Sequence, residues 1–284
     1  MEIYEPAVDR DRALAVLREL LARGPVPYTP HPGEWDWWVY HADPGDQTKA
    51  FIGPHALAEV VVNHAEVAAF GLPIDAAIEL GRRQLPGVPF KLTHVSLADG
   101  ERIAKLRSAG FELERPAGHL FERSTTGASR HSVDRFEIRA LQGEHEHALR
   151  ADAARLAFES TLDTGVHRGR YLQFMRSPGY VLEHDLVAVA EDGTIASFAI
   201  YWLDDELSLG QFEPVGTHPD FQRRGLARAL LHEGLARLSE AGIQRASVMT
   251  GGSNARAQQT YLNAGFQLAD HVASFRAPAS FADK

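Results

Sequence analysis

Cysteine is absent from the 284-residue chain, which excludes disulfides, a Cys-ligated metal and any acyl-cysteine intermediate. No apolar run approaches the ~18 residues that a membrane span requires, so no membrane partner is expected. Positive charge is scarce: 29 Lys and Arg stand against 38 Asp and Glu, for a net charge of −9. A nucleic-acid binder carries a basic face, so nucleic acid is not an expected partner either. An acidic surface keeps a chain soluble and mildly favours a cationic small substrate. The start, "MEIYEPAVDRDRALAVL", has no basic region followed by an apolar one, so no leader is expected and the protein reads as cytoplasmic. Neither a P-loop (G-x-x-x-x-G-K-[ST]) nor a G-x-G-x-x-G dinucleotide turn opens a helix here. His145 and His147 of "GEHEH" are two apart and do not face one metal, so no metal is expected.

What is present suits two ordinary soluble domains: 44% apolar and 24% charged residues over a length that exceeds one small domain. The polar, aperiodic stretch "RSTTGASRHSVD" at 123–134 is the best boundary. It divides the chain into residues 1–125 and 135–284. The same order of elements recurs on each side. "EIYEPAVDRDRALAVLREL" and "EIRALQGEHEHALRADAARLA" each read as strand, polar turn and amphipathic helix. "KLRSAGFEL" and "YLNAGFQL" each read as a helix ending in Gly before a strand. A shift of 155 residues (215 − 60) pairs Val60 with Val215, Leu80 with Leu235, Arg82 with Arg237 and Gly87 with Gly242 without gaps. This predicts a tandem repeat of one α/β (α+β) fold.

In the second half, strands are expected at 136–139, through the Asp-Gly-punctuated run 185–217, and at "ASVMT", "FQLAD" and "HVASFRA". Helices are expected at 147–159, near 168–176, at "GLARALLHEGLARLSEAG" and at "NARAQQTYLNAG". The arrangement implies a mixed, mainly antiparallel sheet flanked by helices. "EWDWWVY" at 34–40 reads as core or interface packing, with ligand stacking the alternative. Trp202, Asp204, Asp205 and Glu206 read either as an acceptor wall or as a polar turn.

The most informative stretch is "EPVGTHPDFQRRGLARALL", 213–231. A strand runs through a basic turn into a helix with no Ser, Thr, Asp or Asn at its start. Such a helix leaves N–H donors and the positive end of its dipole free, which is an anion site. Gly225 removes a side chain from the approach, Ala227 keeps the first turn thin, and Arg223, Arg224 and Arg228 add charge. A diphosphate is the natural guest.

Together, "QRRGLA" after a strand and "SNARAQQTYLNAGF" downstream resemble the two signatures of the Gcn5-related N-acetyltransferases (GNAT). The resemblance spans residues 136–275 in order and spacing. It implies two tandem GNAT folds and acetyl-CoA as cosubstrate, with a small-molecule amine as acceptor. It implies that the turn Gln222, Arg223, Arg224, Gly225, Leu226, Ala227 and Arg228 holds a pyrophosphate. Val215, Gly216 and Thr217 would lie along the pantetheine arm, Asn254 would bond it, and Tyr261 would protonate the departing thiolate. For the base, Glu213 lies on the face of Val215 by simple alternation; it is equally readable as a solvated carboxylate at a strand start. Tyr261 is otherwise a half-buried helix aromatic. A non-catalytic acyl-CoA-binding module is the alternative class. Tandem members in which only the second half is active, such as mycothiol synthase acting on a cysteinyl sugar, give a specific second reading. Under the 155 shift Gln222, Gly225 and Ala227 face Val67, Phe70 and Leu72, Asn254 faces Asp99 and Tyr261 faces Leu106. The first half is therefore expected to keep the fold without a cosubstrate site. Two fused copies suit a monomer, and a homodimer stays open.

Overall fold

The computed structural model describes residues 1–24, 28–42, 44–114 and 117–281. The first half contains β1 (Glu2–Ile3), α1 (Pro6–Ala22), α2 (Pro32–His41), β2 (Thr48–Gly53), β3 (Ala56–Val61), β4 (Glu66–Phe70) and α3 (Ile74–Gln84). It continues with β5 (Lys91–Ser96), α4 (Gly100–Ser108), β6 (Glu112–Leu113) and β7 (Gly118–Ser124). The second half repeats the plan with β8 (Phe136–Ala140), α5 (His147–Ala157), α6 (Thr164–Met175), β9 (Asp185–Ala190), β10 (Ile195–Asp204) and β11 (Leu209–Thr217). It ends with α7 (Leu226–Glu240), β12 (Arg245–Thr250), α8 (Ala255–Asn263) and β13 (Gln267–Arg276). Among the described residues no helix is long and apolar enough to cross a membrane.

Local chemistry accounts for most boundaries. Asp163 accepts from the Gly165 and Val166 N–H groups, so α6 starts several residues before the expected helix near 168. Asp99 and Asn254 cap α4 and α8 in the same way, at 3.0 and 3.1 Å. "FQLAD" and "HVASFRA" form one strand rather than two. A register shift between Leu268 and Asp270 breaks the alternation that a continuous strand would show.

One mixed, mainly antiparallel sheet runs through both halves in the order β1-β2-β3-β4-β5-β13-β7-β12-β11-β10-β9-β8, with β6 beside β13. Each half takes its last strand from the other. β7 pairs along its length with β12, from His119 opposite Thr250 to Ser124 opposite Arg245. β13 pairs with β5, from Val272 opposite Ser96 to Arg276 opposite Lys91. The cores follow the strands. Phe275 is fully buried among Ile78, Phe90, Leu92 and Leu106 of the first half, and Phe121 sits among Leu230, Val248 and Phe266 of the second.

The connecting segment after β7 is tied down, not loose. Thr125 donates to the Ile243 carbonyl, and Arg130 bridges Glu233 and Glu240 on α7 at 3.0 and 2.7 Å. Separating 1–125 from 135–284 as two polypeptides should leave each with an unpaired strand edge. We expect each fragment alone to self-associate or stay unfolded, and the two co-expressed to co-elute as a 1:1 pair with native circular dichroism. A monomeric, cooperatively melting single fragment would contradict the exchange.

Candidate functional site

β11 and β12 run parallel only from Leu209 opposite Arg245 to Phe212 opposite Val248. Beyond that pair the strands part. β11 stays on β10: the His218 N–H donates to the Ala196 carbonyl at 2.9 Å and Ser197 Oγ to the Gly216 carbonyl at 2.7 Å. Backbone groups alternate sides along a strand. Those of Val215 and Thr217 therefore point away from β10 into the space that β12 has vacated. Gly216 has a packing reason of its own, since a Cβ there would lie 2.3 Å from the Phe198 ring.

The turn after β11 leads straight into α7. Arg223 and Gly225 both have left-handed backbones (φ 63° and 80°), and no side chain caps the helix. Among the described residues, the N–H groups of Arg223 through Arg228 meet no acceptor. A Cβ built on Gly225 meets nothing within 4 Å, so this glycine serves backbone conformation and open access. Gln222 is held from α8 by Arg256, 3.2 Å from its Oε1. Arg224 lies over the Phe221 ring and donates to the Asp220 carbonyl, and Arg228 is exposed. Leu226 is buried and Ala227 half-buried. Asn254 uses its Oδ1 to cap α8, leaving its amide N–H groups as the part free to meet a ligand.

Tyr261 is buried on α8, edge-on to Phe121 at 5.7 Å. Burial, and then the charge of Glu213, raise its phenol above the usual value, so it stays a proton donor. Its OH has no hydrogen-bond partner among the described residues.

Glu213 does not share a face with Val215. Tyr201 faces Phe212 while Ala199 faces Val215, so Glu213 and Pro214 together oppose the single residue Ile200. This bulge puts Phe212 and Val215 on the face of α7 and turns Glu213 to the opposite face, against α2. Glu213 is no solvated strand start: Trp202 Nε1 donates to its carbonyl at 2.7 Å and Gln211 Nε2 approaches its carboxyl at 3.4 Å.

The partner on α2 is Glu34, which is fully buried. It accepts from Tyr28 OH at 2.8 and 2.9 Å and, as half of a capping box with His31, from the His31 N–H at 3.2 Å. Burial lifts both carboxyls, and the charge of Glu34 then pushes Glu213 well above the usual carboxylate range. The better-donated Glu34 keeps the charge, and Glu213 holds the shared proton.

Glu213 and Met249, the first residues past the last β11–β12 pair on each strand, line one cavity of about 360 Å³. Arg170 of α6 joins them, and the first half supplies the other walls, among them Glu34, Trp37, Trp38 and His41 of α2, Glu59 of β3 and His94 of β5. "EWDWWVY" is thus both packing and wall. Trp35 is wholly buried, while Trp38 lies against His94 with ring centroids 5.0 Å apart and planes tilted by 45°. Burial pushes His94 down to about 4, so its ring is neutral. Trp202, Asp204 and Glu206 are not cavity residues. Asp204 and Glu206 hold Arg18 at 2.7 and 2.9 Å, joining the halves.

Sequence reading missed Glu34, Glu59, His94 and Met249. Glu59 alone left a signal, as the single carboxylate inside the apolar run "ALAEVVV". Burial, then the charges of Glu66 and Asp46, raise its carboxyl to about 7. A raised carboxyl stabilises the fold below the unfolded value of about 4.5, and that contribution is lost as pH rises through about 7. Glu59→Gln should therefore gain on the order of 2 kcal/mol over the parent at pH 8 and little at pH 5 in urea unfolding; equal gains at both would refute the assignment.

The first half lacks the counterpart of the turn, and for a reason other than the ungapped pairing. Val67 and Phe70 lie within β4, and only residues 71–73 join β4 to α3, against residues 218–225 between β11 and α7. Arg102 fills the gap, donating to the Leu72 and Ala69 carbonyls at 3.0 and 3.2 Å.

Residues 150–266 match the family model described as Acetyltransferase (GNAT) family. The mycothiol acetyltransferase of Beutenbergia cavernae is 34% identical over 122 residues, which is 43% of this chain and 41% of that protein. That of Propionibacterium freudenreichii subsp. shermanii is 33% identical over 87 residues, 29% of this chain and 27% of that one. The chain thus matches less than half the length of either relative. A tandem GNAT protein from the clavulanic acid biosynthesis pathway superposes with a TM-score of 0.69 at 14% identity, covering 98% of both chains. A GCN5-related N-acetyltransferase from Sphaerobacter thermophilus does so with 0.63 at 18%, covering 97% and 94%. At these identities the likeness is one of fold.

Proposed function

We infer that this chain, a tandem-fold member of the GNAT acetyltransferase superfamily, transfers an acetyl group from acetyl-CoA to an amine of a small molecule held between its halves. The observation that carries this reading is the parting of β11 and β12. It opens a cleft that leads on one side to unpaired N–H groups at α7 and on the other to the cavity of Glu213.

The free donors of Arg223 to Ala227 suit the pyrophosphate, and the outward backbone of Val215 and Thr217 suits the amides of the pantetheine arm. The amine nitrogen, neutral after losing a proton, attacks the thioester carbonyl, and the C–S bond breaks as the tetrahedral adduct collapses. In its ionised form, reached as pH rises through its raised value, Glu213 takes the amine proton, and a carboxylate lifted toward neutrality is a stronger base than a solvated one. Tyr261 OH donates to the leaving sulfur. Glu34 acts through Glu213, setting its proton affinity. No step passes through a covalent acyl-enzyme.

The mycothiol acetyltransferase relatives favour a second reading in which the acceptor is the amine of a cysteinyl sugar. The first half then serves as acceptor wall in either case.

Tyr261→Phe should lower kcat by ~10²-fold or more while leaving acetyl-CoA affinity within about 2-fold; unchanged turnover would remove Tyr261 as the acid. Gly225→Glu should abolish acetyl-CoA binding in calorimetry, because a carboxylate would stand in the anion's place on a strained left-handed backbone. Retained binding would overturn the site itself. Glu34→Gln removes a charge that raises Glu213, so the acid limb of kcat/KM should move to lower pH. An unmoved limb would assign the proton transfer elsewhere.

A further inference from the structure

One part of the cavity is unused by the chemistry above. Glu59 lies on β3, largely covered, with its carboxyl in the cavity wall. It has no cation and no hydrogen-bond donor among the described residues. Its neighbours do not neutralise it: Lys91 serves Glu66 and Glu114 at 3.3 and 3.5 Å, His64 faces Asp46 at 3.4 Å, and Lys49 on β2 is exposed. Arg170, also in the wall, donates to the His41 carbonyl. Burying a carboxylate without a partner opposes folding. A chain that keeps one facing a cavity has a site whose missing half is a cation.

Its position relative to the reacting end is set by the sheet. Glu59 stands opposite Ala68 on β4, and Ala68 stands opposite Thr93 on β5, the residue before His94. Two strand spacings, about 10 Å, therefore separate the backbones of Glu59 and Thr93, and the His94 ring next to Thr93 lines the same cavity. That ring leads through Trp38 toward Glu213. The path between the two carboxyls is walled by Trp38 and the neutral His94, a surface suited to methylenes or to the flank of a cation.

We propose that the acceptor carries two cationic centres, an amine to be acetylated at the Glu213–Glu34 pair and a second ammonium held by Glu59, joined by an aliphatic spacer lying along Trp38 and His94. The acceptor class is thus an aliphatic diamine or a longer polyamine. This rests on the proposed N-acetylation for its reacting end, but the second-cation site stands on the cavity alone.

The test uses the full-length protein with 1,4-diaminobutane, 1,5-diaminopentane and spermidine, against 1-aminobutane and glucosamine as single-cation probes. Binding is read by calorimetry with CoA present, and turnover by thiol release from acetyl-CoA. The diamines should bind at least about tenfold more tightly than 1-aminobutane, as one charge-assisted contact provides. Glu59→Gln should collapse that ratio toward one, and Glu59→Asp should restore part of it. Equal binding of mono- and diamines, or a ratio that survives Glu59→Gln, would overturn the proposal, as would glucosamine outbinding the diamines. Diamines that bind through Glu59 without turnover would uphold the site and sink the acetyl-transfer reading. Turnover of all amines alike would do the reverse.

Discussion

Backbone hydrogen bonds between β7 and β12, and between β13 and β5, close the central sheet. Every feature of the site depends on them. They make a continuous surface from two copies of one fold. That surface brings α2 of the first half across β10 and β11 of the second, with Gly33 close enough to Trp202 that a Cβ would lie 2.3 Å from its ring. Without that approach Glu34 could not reach Glu213, and the cavity would lose most of its walls. The first half thus supplies most of the walls of a cavity to which the second contributes Glu213, Met249 and Arg170.

Within that frame a single extra residue in β11 decides which face Glu213 takes. A strand in regular alternation would send Glu213 and Val215 to the same face. The bulge opposite Ile200 sends them to different ones. In the proposed reaction, backbone for the long arm of a thioester and a carboxyl for an incoming amine would then meet at one point from opposite sides of the sheet. The same point is where β11 and β12 part, so the sheet's own break provides the passage between them.

The fold class, the tandem plan and the turn at 222–228 were legible because each is written locally: alternation, caps, and a helix start with no capping residue. The cavity residues of the first half were less legible: Glu34, Glu59 and His94 lie far apart in sequence and meet only in the folded sheet and the docking of α2, and Trp38 was weighed only as the alternative of ligand stacking within "EWDWWVY". Glu213 was legible as a residue and misread in direction, since a bulge leaves no mark that alternation can detect. The structure gives a different account of the first half's β4–α3 connection from the ungapped pairing. The connection there is shorter, and Arg102 binds the carbonyls that it leaves free.

The exchange also has a consequence for how the chain is made. β5 ends at Ser96, and its neighbour β13 ends at Arg276, so 180 residues (276 − 96) must be synthesised after β5 before that neighbour is complete. At translation rates of roughly 5–20 residues per second, this edge waits on the order of 10–40 s on the ribosome with its hydrogen-bonding groups unpaired. The first half therefore cannot finish folding ahead of the second, as the leading domain of a tandem protein ordinarily does. Its protection during that interval falls to solvent or to whatever binds nascent strands, which makes this protein's yield in a cell a property of its synthesis as much as of its stability.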